Sequence, residues 1–304
     1  MTTQQHDHDL KRAAEALAEA DALVIAAGAG MGVDSGLPDF RGKQGFWNAY
    51  PPYAALKLDF YELANPRWFR DNPALAWGFY GHRLDLYRAA RPHAGFAILK
   101  RWAEAASRSK ARGWFVVTSN VDGQFQRAGF DADRVVEVHG AIDWLQCTAG
   151  CGIAPFPADR FQVVIDESTM LAAEPLPACP NCGALARPNI LMFGDSEWVG
   201  DRTNLQNSRL AIWLNALPLA GEARDGSWLR RPSQGVKLVV VECGAGKSVP
   251  TIRRASEALA QRHKGTLIRI NVRDHDVPPP HPPGQSIGLP LAALEALQAI
   301  DDRL

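Results

Sequence analysis

Long apolar runs are missing from this chain of 304 residues, and without them no segment can cross a membrane as a helix, because its hydrophobic stretches are only strand-length. A surplus of either charge is missing as well. Thirty-three Lys and Arg balance 33 Asp and Glu, so there is no electrostatic reason to expect nucleic acid as a partner. The opening stretch MTTQQHDHDLKRAAEALAEA lacks the apolar centre of a secretion signal, and a cytoplasmic location is expected. Cysteine is scarce, five in all, and in that compartment thiols serve more often as ligands than as disulfides. No internal repeat is present. A content of 46% hydrophobic and 22% charged residues fits an ordinary globular protein, and the length predicts one large domain with a smaller module.

What the chain does have is a strand, a glycine turn and a chemically rich loop in immediate succession, ALVIAAGAGMGVDSGLPDFRGKQGFW over 22–47. Leu23 to Ala27 reads as a buried parallel strand. Gly28, Ala29 and Gly30, with Gly32, let the backbone turn sharply and offer N–H groups to a phosphate. Four more β-branched runs follow, at 114–118, 134–138, 237–241 and 266–270, with helical segments between them, as at 73–90, and a further helix at 9–20 before the first strand. This alternation predicts an α/β fold, a Rossmann-like doubly wound parallel sheet, with ligands beyond the carboxyl ends of the strands. Those ends carry Gly28–Gly30, Ser119–Asp122, His139–Gly140, Gly244–Gly246 and Asn271, all expected to face one crevice. Residues 50–112 read as an inserted helical module. Leu217 to Gly235 reads as a surface loop, and the Pro-rich 277–284 segment as extended chain after the last strand.

Four of the five cysteines form two close pairs, Cys147/Cys151 and Cys179/Cys182, separated by 27 residues. Two such knuckles are what tetrahedral thiolate coordination of Zn²⁺ requires, and four thiolates leave no open position, so one structural zinc is expected within a module spanning 143–188. Cys243, at a strand end, reads as a small buried apolar residue.

The strings GAGMGVDSGLPDFR (28–41), TSNVDGQFQRAG (118–129), VEVHG (136–140), RPNILMFGD (187–195) and INVRD (270–274), together with the cysteine pairs, resemble the sirtuins, NAD-dependent protein lysine deacylases. The resemblance covers roughly residues 10 to 275. It implies a Rossmann-like NAD-binding domain from residues 1–49, 113–142 and 189–304. NAD would lie with its pyrophosphate near Gly28, Ala29 and Gly30 and its adenosine ribose near Asn271. Asp122 and the Val121 backbone would hold the nicotinamide carboxamide, and Asn120, beside Ser119, would hold its ribose or a water. Phe40 would cover the reacting sugar carbon, with Asp39 and Arg41 in the same loop. Gly244, Gly246 and Ser248 would complete the cofactor site. The implied reaction begins as the acyl-lysine carbonyl oxygen attacks the ribose carbon and nicotinamide leaves. His139 serves as general base on the ribose hydroxyls, and the products are nicotinamide, acyl-ADP-ribose and free lysine. Acylated protein or peptide substrates would add as a strand near Phe193 and Gly194.

Tyr80 and Arg83, one helical turn apart, fall where the desuccinylase and demalonylase sirtuins carry a Tyr/Arg pair, which implies short acidic acyl groups, with acetyl as a further substrate. The chain departs from the family pattern at Gly32, Ser119, Gln124-Phe125, Asp195 and the 242–248 loop. An ADP-ribosyltransferase or NAD hydrolase on the same fold is the alternative reading.

Overall fold

The computed structural model describes residues 3–38, 46, 50–55, 57–107, 112–218, 235–280, 282 and 284–304. Most of the expected 217–235 loop lies outside the described residues. Along the chain come α1 (Thr3–Ala18), β1 (Ala22–Ala27), α2 (Pro73–Ala89), α3 (Ala94–Ala105), β2 (Trp114–Thr118), β3 (Val135–Glu137) and β4 (Gly140–Cys147). The short strands β5 (Phe156–Pro157), β6 (Ile165–Asp166) and β7 (Leu171–Ala172) precede β8 (Ala186–Ile190) and α4 (Asp201–Asn215). The chain ends with β9 (Leu238–Cys243), α5 (Thr251–His263), β10 (Thr266–Ile270), β11 (Ser286–Leu289) and α6 (Ala293–Asp301).

Among the described residues six parallel strands form the main sheet in the order β11-β10-β9-β1-β2-β3. This is the doubly wound order, and the topological switch point falls between β1 and β9. The five apolar runs form strands to within two residues at each end. A sixth strand, β11, follows the Pro-rich segment that the sequence had placed after the last strand. Four residues containing a glycine carry little strand signal. Tertiary pairing with β10 makes the strand, and a Cβ at Gly288 would stand 2.2 Å from the His275 carbonyl oxygen.

Side-chain alternation along β1 builds two cores. Leu23, Ile25 and Ala27 pack with α1, α3 and α6, whereas Ala22, Val24 and Ala26 face the layer of α4 and α5. Cys243 is fully buried in the first of these. A third core joins Phe46, Tyr50, Tyr53 and the α2 residues Trp77, Phe79 and Tyr80 to Ile142, Leu145, Met170 and Ala186. The inserted helices and the cysteine-bearing strands therefore share one interior. The Trp77 indole N–H donates to the Ala186 carbonyl at 2.9 Å, and α2 runs so close to Met170 that a Cβ at Gly78 would lie 1.8 Å from its carbonyl oxygen. Helix α3, within the 50–112 span, packs on the sheet instead.

One ion pair lies inside the sheet. Arg269 on β10 stands opposite Glu242 on β9, both side chains fully buried, with Nε to Oε1 at 2.6 Å and Nη2 to Oε2 at 2.9 Å. Glu257 of α5 takes a further bond from Nη2, and the Asp276 carbonyl one from Nη1. Removing one partner of a buried pair strands the other charge and costs about 3–5 kcal/mol. Arg269→Met should therefore lower the urea-unfolding free energy by about that amount, and Arg269→Met with Glu242→Leu should recover much of it. A single-variant loss below about 1 kcal/mol would contradict this account.

Candidate active site

The loops after β1 and β9 meet backbone to backbone at the switch point. Gly28 N–H donates to Cys243 O at 2.9 Å and Gly30 N–H to Gly244 O at 3.0 Å. A Cβ on Gly28 would lie 2.8 Å from Ala245 Cα, and one on Gly244, where φ is +66°, would lie 2.4 Å from Gly30 C. Both glycines are thus required by this mutual approach, before any ligand is considered. Asn120, beyond β2, braces the same turn through Nδ2 to Gly28 O at 3.0 Å.

These loops wall one end of a cavity of about 620 Å³, within the range of small-molecule and cofactor sites. Gly28, Ala29, Ser119, Asn120, Val121, Asp122, His139, Gly244, Gly246 and Ser248 line it, as do Tyr80, Arg83 and Phe193 from the smaller domain. Gly30 and Asn271 face a neighbouring cavity of about 290 Å³, which Gly244 also lines. Asn271 is buried and holds loops together: Nδ2 donates to Ala245 O at 2.9 Å while Oδ1 accepts from the Arg273 and Asp274 N–H groups. Gly194, with φ of +67°, is exposed and off both cavity walls. Asp39, Phe40 and Arg41 lie outside the described residues.

His139 is set by the crossing from the sheet into β4. Val138 N–H bonds Thr118 O, and Leu191 N–H bonds the His139 carbonyl at 3.0 Å. Gly140, at φ +76°, passes so close to β8 that a Cβ would meet Asn189 O at 2.0 Å. Just before the histidine, buried Glu137 gathers Gln126, Arg202 and Gln206 around its carboxylate, which anchors the end of β3 to α4. Burial pulls the His139 imidazole below its ordinary value, partly offset by a hydrogen bond to the Ser119 backbone. Burial raises the Asp122 carboxyl to about 6, against the pull of the Gln124 N–H it accepts.

In the smaller domain, Arg83 is buried among the rings of Phe60, Phe79, Tyr80 and Tyr87. Its Nε and Nη2 both donate to the Tyr87 hydroxyl, at 3.1 and 2.6 Å. Behind Tyr80, Arg187 and Asp195 form a buried two-bond pair at 2.8 and 2.9 Å. The same carboxylate accepts from Met192 N–H and Glu197 N–H, which fixes the loop bearing Phe193.

The four cysteines of the knuckles converge, all sulfurs lying within 4.8 Å of one another. Cys147 to Cys182 and Cys151 to Cys179 are each 3.6 Å, close to the edge of about 3.8 Å expected for a tetrahedron with Zn–S near 2.3 Å. Ala149 N–H and Asn181 Nδ2 point at Cys147 and Cys151. The donor set fits Zn²⁺, and a closed set of thiolates makes the ion structural.

The chain matches the Sir2 family over residues 28–207, well over half its length. It belongs to the Sir2 family. The NAD-dependent protein deacylase of Pyrococcus abyssi (strain GE5 / Orsay) is 30% identical over 270 residues, 88% of this chain and 88% of that protein. The NAD-dependent protein deacylase of Aquifex aeolicus (strain VF5) is 36% identical over 174 residues; this covers 57% of this chain and less than two thirds, 62%, of that relative. A solved complex of a Sir2 homologue mutant with ADP-ribose has the same fold, with a TM-score of 0.66, 24% identity and coverage of 96% of this chain and 95% of that one.

For this Sir2-family chain, sequence reasoning missed several lining residues. Tyr87 lies seven positions after Tyr80 and four after Arg83, a helical spacing that could have revealed it. Phe60, Tyr61, Ala64 and Arg273 carried no such signal, because only the packing of distant segments brings them to the cavity.

The cysteine geometry has a direct test. Purified protein should carry one Zn²⁺ per chain by elemental analysis, and Cys179→Ser should lose it together with a cooperative part of the melting transition. An unchanged melt after complete chelation would remove the structural role.

Proposed function

We propose that this chain is an NAD-dependent protein lysine deacylase, a reading carried by one observation: His139, Asn120 and Asp122 line the same cavity as the paired glycine loops. Three residues of the cofactor end suit a dinucleotide. Asp122 and the Val121 backbone present an acceptor and a donor to the nicotinamide carboxamide, and Asn120, held through its amide nitrogen, turns Oδ1 to a ribose hydroxyl. Gly246 and Ser248, ahead of α5, would face the phosphates. When bound, NAD supplies the ribosyl group that takes the acyl chain as nicotinamide departs.

His139 would act as general base. Its lowered pKa keeps the ring neutral, and so able to accept a proton, at pH 7. The acylated peptide would lie as a strand beside Phe193, whose ring packs on Tyr61 at 4.7 Å and whose N–H bonds Ala64 O. For the acyl chain, a guanidinium flanked by aromatic rings on the cavity wall favours short groups ending in a carboxylate, succinyl or malonyl, over an uncharged methyl.

His139→Ala should lower deacylation by about 10² to 10⁴-fold while NAD still binds by titration. Because the base form is required and burial lowers the imidazole pKa, the acid limb of kcat/KM should fall below the ordinary histidine value of about 6.5. A limb above that value would rule out this assignment. Arg83→Met should raise KM for succinyl- and malonyl-lysine peptides about tenfold or more relative to acetyl-lysine peptides. Nicotinamide release that needs no acylated peptide would instead indicate NAD hydrolysis.

A further inference from the structure

The Tyr80/Arg83 pair is joined in the structure by a third residue, Tyr87, on the same side of α2 and on the same cavity wall. Tyr87 is buried, and its hydroxyl oxygen receives two N–H groups from one edge of the Arg83 guanidinium, at 3.1 and 2.6 Å. The guanidinium also has the Tyr87 ring at 5.3 Å and the Phe79 ring at 5.2 Å. Arg83 is thus held by a planar fork and by ring faces together, which removes most of its rotational freedom.

The chemistry of a phenol then determines what Tyr87 can offer. Its oxygen accepts through lone pairs and carries a single proton. With Arg83 filling the acceptor side, the O–H is turned away from the guanidinium and can act only as a donor. The adjacent cation polarises that O–H and strengthens the bond it can give to an anion. Burial keeps the phenol protonated.

We propose that Tyr87 sets the acyl selectivity of this site: it aims Arg83 and adds its own O–H as a donor to the acyl carboxylate, so that the anion meets a guanidinium–phenol couple. This rests on the acidic-acyl reading above and extends it to a residue on the far side of the arginine. An acetyl group has no carboxylate to receive the added donor, so the couple acts on the preference between substrates. It takes no part in bond breaking, and Tyr87 is a specificity and positioning residue.

The test compares kcat/KM for succinyl- and acetyl-lysine versions of one peptide in four proteins: wild type, Tyr87→Phe, Arg83→Lys and Arg83→Met. Tyr87→Phe should lower the succinyl-to-acetyl ratio about tenfold, with the change in KM rather than kcat. Arg83→Lys keeps the charge but removes the fork, and should lower the ratio by a similar factor. The Kd of the succinyl peptide, measured by calorimetry, should rise in step with KM, which a loosened fold would not do selectively. If Arg83→Met abolishes the acidic preference while Tyr87→Phe leaves or raises it, Tyr87 is not the discriminator and this inference fails alone. A Tyr87→Phe protein that binds the acidic peptide more tightly would mean that the phenol competes with the carboxylate, which also overturns it. If Arg83→Met leaves the preference intact, the acidic-acyl reading itself falls, and this inference with it.

Discussion

Two loops packed backbone against backbone, one after β1 and one after β9, are the constraint on which the rest of the cleft depends. Their contact leaves no room for a Cβ at Gly28 or Gly244, and two main-chain bonds, given by the Gly28 and Gly30 N–H groups to the Cys243 and Gly244 carbonyls, hold it. The strands carrying them are neighbours with opposite winding to either side, so helices diverge from this point and leave a crevice. Several neighbouring groups are tied to that joint or to the strand that leads into it. Asn120 bonds Gly28, Asn271 bonds Ala245, and Ser119 N–H bonds Ala27 O.

The opposite wall comes from a second interior that the chain assembles from two separate stretches. Helix α2 carries Tyr80, Arg83 and Tyr87, while β4 and β8 carry His139 at their entry and the Phe193 loop at their exit. These meet because aromatic residues of the inserted helices bury against the cysteine-bearing strands. A segment of short strands with few apolar residues has little core of its own. The thiolate cluster and the borrowed helical face together supply what such a segment lacks. That Tyr80, Arg83, Tyr87 and His139 line one cavity is a consequence of this shared core.

Charge is handled differently in the two halves. In the sheet, Glu242 and Arg269 pair across adjacent strands and Arg269 reaches Glu257 and the Asp276 carbonyl, tying β9, β10 and α5 to the 271–276 loop. In the smaller domain Arg187 and Asp195 lock the Phe193 loop, and Arg83 is received by rings and a phenol. Each buried arginine has a planar fork matched by acceptors, the arrangement in which a guanidinium can be desolvated at tolerable cost.

Much of this was readable from the residues. Five strands, the switch-point glycines and the zinc knuckles announce themselves through local pattern: apolar runs of strand length, glycine where the backbone must bend, and cysteines at ligand spacing; the role expected of His139 came only with the family resemblance. Local pattern failed where tertiary contact does the work. Strand β11 exists because β10 offers it an edge, and the purpose of Gly28 includes fitting Ala245, more than two hundred residues away in sequence. Asn271, expected at the adenosine ribose, lines the neighbouring cavity, and its side chain also fastens two loops, which its sequence context did not indicate. Tyr87 shares a helix face with Tyr80 and Arg83 by its spacing alone, but only the structure shows its hydroxyl accepting from Arg83.

The order of amino acids alone therefore determined the α/β class, the metal-binding chemistry and the identity of the polar groups at the strand ends, because each follows from neighbours within a few positions. Only the folded arrangement decided that the helical insert and the cysteine strands form one core, that Arg83 is held by Tyr87, and which glycines serve packing. Those depend on distances between segments far apart in the chain, which are set by how apolar surface is buried and which no local spacing encodes.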